Sequence, residues 1–393
     1  MTRPLPSDPA PADPPAADPL AVPGPPGPRT LTALAAERAV VICCGPGGVG
    51  KTTVSASVAL QGARLGRRTC VVTVDPARRL ADSLGLESLA NVPTEVPGEW
   101  PGHLDAVMLD TKGTFDDLIR RYARSPEQAE AIAANRLYQN LSGALSGTQE
   151  YMAMEKLYEL TGSGHYDLVV VDTPPSRNAL DLLDAPRRLT HFLENRLFRA
   201  LLLPTRAYLR AVSVATRTLL RTISTVAGAE IVHDAVAFFQ AFQGMEEGFR
   251  TRAGTVRTLL ADPATAYVVV TSGRPDAVAE ATFFAERLRD RGVTPAALVV
   301  NRVQPRFDAL SDDLPDAPEG SELRAMVDNL RELRAVAAGE EETYAGLVKM
   351  VDPAPVGRVP LLSSDVHDVQ GVAEVADHLF GPAPTSPGEG DVG

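Results

Sequence analysis

Short continuous apolar runs, each followed by a stretch of helical period, set the rhythm of the chain. Ala39–Cys44 is one such run, and a helical pattern from Thr52 to Leu65 follows it. Thr69–Val74, Leu168–Val171, Tyr267–Val270 and Ala297–Val300 are runs of the same kind, with weaker ones at Leu104–Leu109 and Val356–Val359. A run without polar alternation predicts a strand covered on both faces. Helical segments, Ala277–Arg291 and roughly Glu322–Met350 among them, separate the runs. This alternation predicts an α/β fold, a mostly parallel twisted sheet with helices on both faces. Ligands of such sheets sit at the carboxyl ends of the strands. There the chain places a glycine-rich loop after Cys44, Asp75 after Val74, and Asp172 after Val171.

Two regions depart from the alternation. Residues 187 to about 261 carry no strand signal and are too long for a simple crossover. With the mostly helical stretch 112–161 they are read as a helical insertion. Leu189, Phe192, Leu193, Leu197, Ala200 and Leu201 make one apolar helix face. Arg206, Arg210, Arg217 and Arg221 fall on one side of a further helix. A third stretch carries Val232, Ala235, Phe239, Phe242 and Phe249. Two uses stay open for these faces on their residues alone: packing against the body, or contact with anionic lipid or an acidic partner. Residues 1–30 and 381–393, rich in Pro with Ala and Asp or Gly and Ser, lack the apolar surface to offset ordering and are expected to be disordered tails. The folded unit is therefore expected over 31–380.

Composition narrows the function. A net charge of −12 over 393 residues argues against a nucleic-acid partner held on a broad basic surface. Three cysteines, Cys43, Cys44 and Cys70, cannot build a disulfide framework, and all lie in strand-like runs that predict buried, inert thiols. The N-terminal stretch lacks an apolar export core, and the run Leu201–Leu203, between Arg199 and Arg206, is far too short to span a bilayer. A cytoplasmic protein without an integral membrane segment is expected.

The loop Gly45-Pro46-Gly47-Gly48-Val49-Gly50-Lys51-Thr52 fits the pattern G-x-x-x-x-G-K-[ST] in full. Glycines let successive backbone N–H groups turn inward onto phosphate oxygens without a Cβ in the way. The helix that follows adds the positive end of its dipole. Gly45, Gly47, Gly48, Val49, Gly50, Lys51, Thr52 and Thr53 are thus candidate nucleotide contacts. Lys51 neutralises phosphate charge, and the Thr52 hydroxyl and Asp172 are candidate ligands of Mg²⁺. ATP with Mg²⁺ is the expected cofactor pair. Asp172 could instead cap the next helix.

Further motifs follow in order: Val-Asp-Pro-Ala-Arg-Arg-Leu-Ala-Asp-Ser-Leu-Gly at 74–85, Val-Asp-Thr-Pro-Pro-Ser-Arg-Asn-Ala-Leu-Asp-Leu-Leu at 171–183, Val-Val-Asn-Arg at 299–302 and Val-Pro-Leu-Leu at 359–362. With the loop, they resemble the ArsA family of P-loop NTPases, which includes arsenical-pump ATPases and tail-anchored-protein targeting factors, within the MinD-like deviant-Walker class. The resemblance implies ATP hydrolysis coupled to dimer opening and closing. It implies that Asp75 activates the attacking water and that Asp172 and Thr173 sense the γ-phosphate. It implies that Asn301 bonds the adenine edge with Pro360 packed near the base. Asp82 matches an acidic position of less defined role, and Asp75 could also be a plain turn residue before Pro76.

The chain also departs from that family. The loop's signature lysine, which reaches the partner's phosphates, is Pro46 here, and proline brings neither charge nor donor. This implies a weakly active homodimer, a heterodimer with a related ATPase that keeps the lysine, or compensation by a residue such as Arg177. The metalloid-binding cysteines have no match after Cys70, so arsenite activation is not expected, and the CxxC zinc clasp is missing. An apolar helix or membrane-protein client remains possible by resemblance, as does a nucleotide-gated binding subunit with little turnover.

Overall fold

The computed structural model describes residues 30–75, 77–141, 148–174, 184–185, 237–238, 241, 244–307, 314–316 and 318–382. Eight strands form one sheet: β1 (Val40–Cys44), β2 (Arg68–Thr73), β3 (Thr94–Glu95), β4 (His103–Met108), β5 (Leu168–Asp172), β6 (Thr265–Ser272), β7 (Ala297–Val303) and β8 (Val356–Pro360). Their order is β3-β4-β2-β5-β1-β6-β7-β8. All neighbours are parallel except the edge pair β3–β4. Every predicted strand is present, so the α/β reading holds. The antiparallel β3 was not foreseen, because two residues are too short to show a period.

The described helices are α1 (Leu31–Glu37), α2 (Lys51–Arg64), α3 (Arg79–Ser83), α4 (Thr111–Tyr122), α5 (Pro126–Ala133), α6 (Arg136–Leu141), α7 (Thr148–Gly162), α8 (Glu246–Ala261), α9 (Pro275–Asp290), α10 (Glu322–Val351) and α11 (Val369–Phe380). The core divides into two clusters, one on each face of the sheet. Val40, Ile42, Cys44 and Val72 turn to one, and Val41, Cys43 and Val71 to the other, so strands flanked by helices need no polar face. Helix α2 lies under the second face and packs on α11, where Ser57 Oγ donates to the Val372 carbonyl at 3.1 Å. Phe249 of α8 is buried against Phe115 and Tyr122 of α4, with ring centroids 6.5 and 5.2 Å away. Those rings join the two described parts of the expected insertion to each other, and the Tyr267 hydroxyl of β6 ties α8 to the sheet by donating to the Leu260 carbonyl at 2.9 Å. The apolar face at 189–201, the arginines 206–221, Val232, Ala235, Phe239 and Phe242 lie outside the described residues, as do residues 1–29 and 383–393 of the tails.

The three cysteines are buried and unbridged. Burial pushes the Cys43 thiol up to about 12 and raises Cys44 and Cys70 as well, which agrees with inert thiols.

Strand order fixes where a ligand can sit. The chain leaves β1 for β2 on one side, fills the gap with β5, then crosses to β6 on the other side. The carboxyl end of β1 is therefore a switch point, with the ends of β5 and β6 beside it.

Candidate functional site

The glycine loop opens at this switch point. Gly45 adopts φ +150°, and a Cβ there would lie 2.0 Å from the Val270 carbonyl oxygen of β6. Gly50 is left-handed at φ +89°, and a Cβ there would lie 2.2 Å from Asn301 Nδ2. Only glycine lets the loop pass so close to both neighbours. Helix α2 starts at Lys51, one residue before the expected Thr52. Its first N–H groups have no partner within the helix and face the loop's concavity.

Lys51 is 7% exposed, and its ammonium donates to the Pro46 carbonyl at 2.7 Å. Burial lowers its pKa, and the Asp172 charge works against that. The cation is thus held beneath the loop by a backbone oxygen that any residue at position 46 would supply.

Asp172 is the centre of the site. It is 1% exposed, and the register sets it beside Cys43 on β1 and Thr73 on β2. Its Oδ2 accepts hydroxyl bonds from Thr52 at 2.8 Å and Thr73 at 2.9 Å. Among the described residues, no hydrogen-bond partner meets its buried Oδ1. Desolvation raises its pKa from 3.8 to about 6, against the lowering by those two hydroxyls and Lys51. A buried carboxylate oxygen without a donor asks for a cation. The Thr52 hydroxyl gives its proton to Asp172, so its lone pairs stay free. Hard oxygens of this kind suit Mg²⁺.

Thr73 ties the two aspartate loops together: its hydroxyl also accepts from the Asp75 N–H at 3.2 Å. Asp75 Oδ1 closes a turn by accepting from Ala77 N at 3.0 Å, and Oδ2 faces Arg79 at 3.4 Å. Both readings of Asp75 are therefore compatible with one geometry. Thr173 is buried and donates its hydroxyl to the Cys43 carbonyl at 2.8 Å. Asp82 is exposed on α3, and Arg177 lies outside the described residues.

Thr53, Asn301, Arg302, Pro360, Leu361 and Val366 line a cavity of about 280 Å³ that starts where α2 leaves the loop. Asn301 and Pro360 are thus brought together on one cavity, with Thr53 of α2. The Asn301 amide also braces the loop: Nδ2 donates to the Val49 carbonyl at 2.9 Å, and Oδ1 accepts from Arg302 N at 3.0 Å. Sequence reasoning missed this bracing, and it missed Thr73 and Arg302. Arg302 sits at φ 58°, a left-handed backbone uncommon for a non-glycine, and its guanidinium reaches the Gly48 carbonyl at 3.4 Å. A smaller cavity of about 160 Å³ lies on the loop's other side, lined by Pro46, Gly47, Arg274, Glu280, Arg302 and Glu340. Thr73 did carry a signal, a lone hydroxyl closing an apolar strand two residues before an aspartate.

Comparison with known proteins identifies a family. The family model described as anion-transporting ATPase matches residues 38–316. An uncharacterized protein of Streptomyces coelicolor is 31% identical over 304 residues, 76% of this chain and 71% of that protein. The ATPase GET3 of Malassezia globosa is 30% identical over 161 residues, 40% of this chain and 46% of GET3. The ATPase get3 of Aspergillus terreus is 30% identical over 143 residues, 36% of this chain and 41% of its own. The chain thus spans less than half the length of these two GET3 relatives.

Proposed function

The chain belongs to the ArsA family of anion-transporting ATPases, and from that premise we propose that it hydrolyses ATP with Mg²⁺ to drive a change of shape in a dimer. The observation that carries this reading is the buried Asp172 carboxylate, whose Oδ2 takes the Thr52 hydroxyl while Oδ1 has no partner among the described residues, together with the buried Lys51. In this reading Gly45, Gly47, Gly48, Val49, Gly50 and Thr53 cradle phosphates, and Lys51 neutralises the β- and γ-phosphates. Thr52 and Asp172 hold Mg²⁺, which when bound neutralises charge building on the phosphates. Asp75 orients the attacking water, with its backbone set by Thr73. Asn301 and Pro360 hold the base. The 171–183 motif carries the signal outward from Asp172.

Phosphate release with and without Mg²⁺, set beside a Lys51→Ala variant, tests the proposal. Removing that cation should lower kcat/KM by about a hundredfold or more. A parent with no Mg²⁺-dependent release and no nucleotide binding by calorimetry, or a variant equal to it, overturns the reading.

Pro46 favours a second reading. Without a lysine there, neither subunit of a homodimer can place that charge on its partner's phosphates. The chain would then be the regulatory, nucleotide-gated half of a heterodimer whose other subunit keeps the lysine. Phosphate release measured alone and after mixing with such a subunit separates the two: a rate that rises only in the mixture supports the heterodimer. Client handling of the targeting-factor kind stays a further possibility by family. Among the described residues, no helix is long and apolar enough to cross a membrane.

A further inference from the structure

The segment that carries Asp75 is held from one side by the nucleotide site and from the other by a residue outside every motif described so far. Val74 donates its N–H to the Asp172 backbone carbonyl at 3.1 Å. Its own carbonyl accepts from Gln149 Nε2 at 2.8 Å. The residue just before the candidate water-positioning aspartate is therefore clamped between β5 and the first turn of α7. Gln149 cannot drift, because α7 is pinned farther along by a buried group of charges. Glu155, with a side chain 2% exposed, accepts from Tyr151 OH and from Arg252 Nε of α8, both at 2.8 Å. The Arg252 guanidinium also lies over the Tyr158 ring, 3.6 Å from its centroid. An ion pair so buried, with its oxygens satisfied, fixes the register of α7 against α8.

We propose that Gln149 is a positioning residue for ATP hydrolysis: through the Val74 carbonyl it sets the place of Asp75, and through α7 it couples that place to α8. The inference rests on the reading of Asp75 given above. An amide donor at 149 is required, since a carboxylate there would face the Val74 carbonyl with an acceptor and repel it.

The test compares the full-length parent with Gln149→Ala and the isosteric Gln149→Glu, and uses Asp75→Asn as a control. Loss of one neutral hydrogen bond corresponds to a fall in kcat of about fivefold to tenfold. Gln149→Ala should show that fall and Gln149→Glu a larger one, with the ATP dissociation constant within about twofold of the parent. Hydrogen exchange of 149–160 should slow on addition of ATP analogue and Mg²⁺ in the parent, and less in Gln149→Ala. A kcat unchanged in both variants, or a loss confined to ATP affinity or melting temperature, overturns the inference. If the parent hydrolyses ATP and Asp75→Asn does so equally well, the reading of Asp75 falls instead, whatever Gln149 does.

Discussion

Replacing Asp172 with Asn should stabilise the ligand-free fold while removing its activity. The Asp172 carboxyl is buried, and its pKa is raised from 3.8 to about 6. At 1.36 kcal/mol per unit, keeping it ionised in the folded protein at neutral pH costs about 3 kcal/mol. That figure already contains the attraction of Lys51, since the lysine acts on the same equilibrium. The sign follows from proton uptake. Between about pH 4 and 6 the folded state holds the proton more firmly than the unfolded chain, so stability falls as pH rises through that window and is level above it. Asparagine is neutral throughout and keeps one oxygen for the Thr52 and Thr73 hydroxyls. It sets an amide where Oδ1 now lacks a partner, and that unsatisfied donor costs about 1–2 kcal/mol. The net gain at pH 7.5 is about 1–2 kcal/mol. At pH 4.5 the wild-type penalty shrinks to about 1 kcal/mol and the advantage disappears. Urea unfolding of both proteins with chelator present, at pH 7.5 and 4.5, measures this directly. An Asn variant no more stable than the parent at pH 7.5, or a difference equal at both pH values, refutes the account of the orphaned oxygen. Loss of Mg²⁺-dependent phosphate release in the same variant would complete the trade of stability for function.

Two further substitutions test the loop. Pro46→Lys leaves the carbonyl that Lys51 uses in place, so it should raise turnover about tenfold or more, and only at protein concentrations that allow self-association; a rate indifferent to concentration and to the substitution argues against a cross-subunit role for this position. Gly45→Ala should cost more than about 3 kcal/mol by chemical denaturation, because the added Cβ meets the Val270 backbone. Gly48→Ala, at φ +75° but with open space around it, should cost only the left-handed strain of about 1–2 kcal/mol; equal losses in the two variants would show that crowding by β6 is not what demands glycine at 45.

Much of this site could be read from local sequence. A buried strand, a glycine loop and a helix are contiguous in the chain, so their composition alone specified the loop and its lysine. Strands near 40, 69, 168, 267 and 297 were legible because full burial leaves no polar positions in the run. Family membership came from motifs whose order and spacing survive in one dimension. What stayed hidden depends on which strands lie side by side. Thr73, Asp172 and Thr52 meet only because β5 enters the sheet between β1 and β2, and a hydroxyl distant in sequence then becomes the clasp between two aspartate loops. Asn301 had been expected only as a contact to the base, yet the pairing of β6 with β7 also turns its amide onto the Val49 carbonyl. The hold of Gln149 on Val74 follows from helix packing that no periodicity encodes. Sequence determined the chemical groups, since those are carried residue by residue. Tertiary structure decided which of them lose their water and which polar atom is left without a partner, because burial and pairing belong to the assembled sheet and not to any one segment of it.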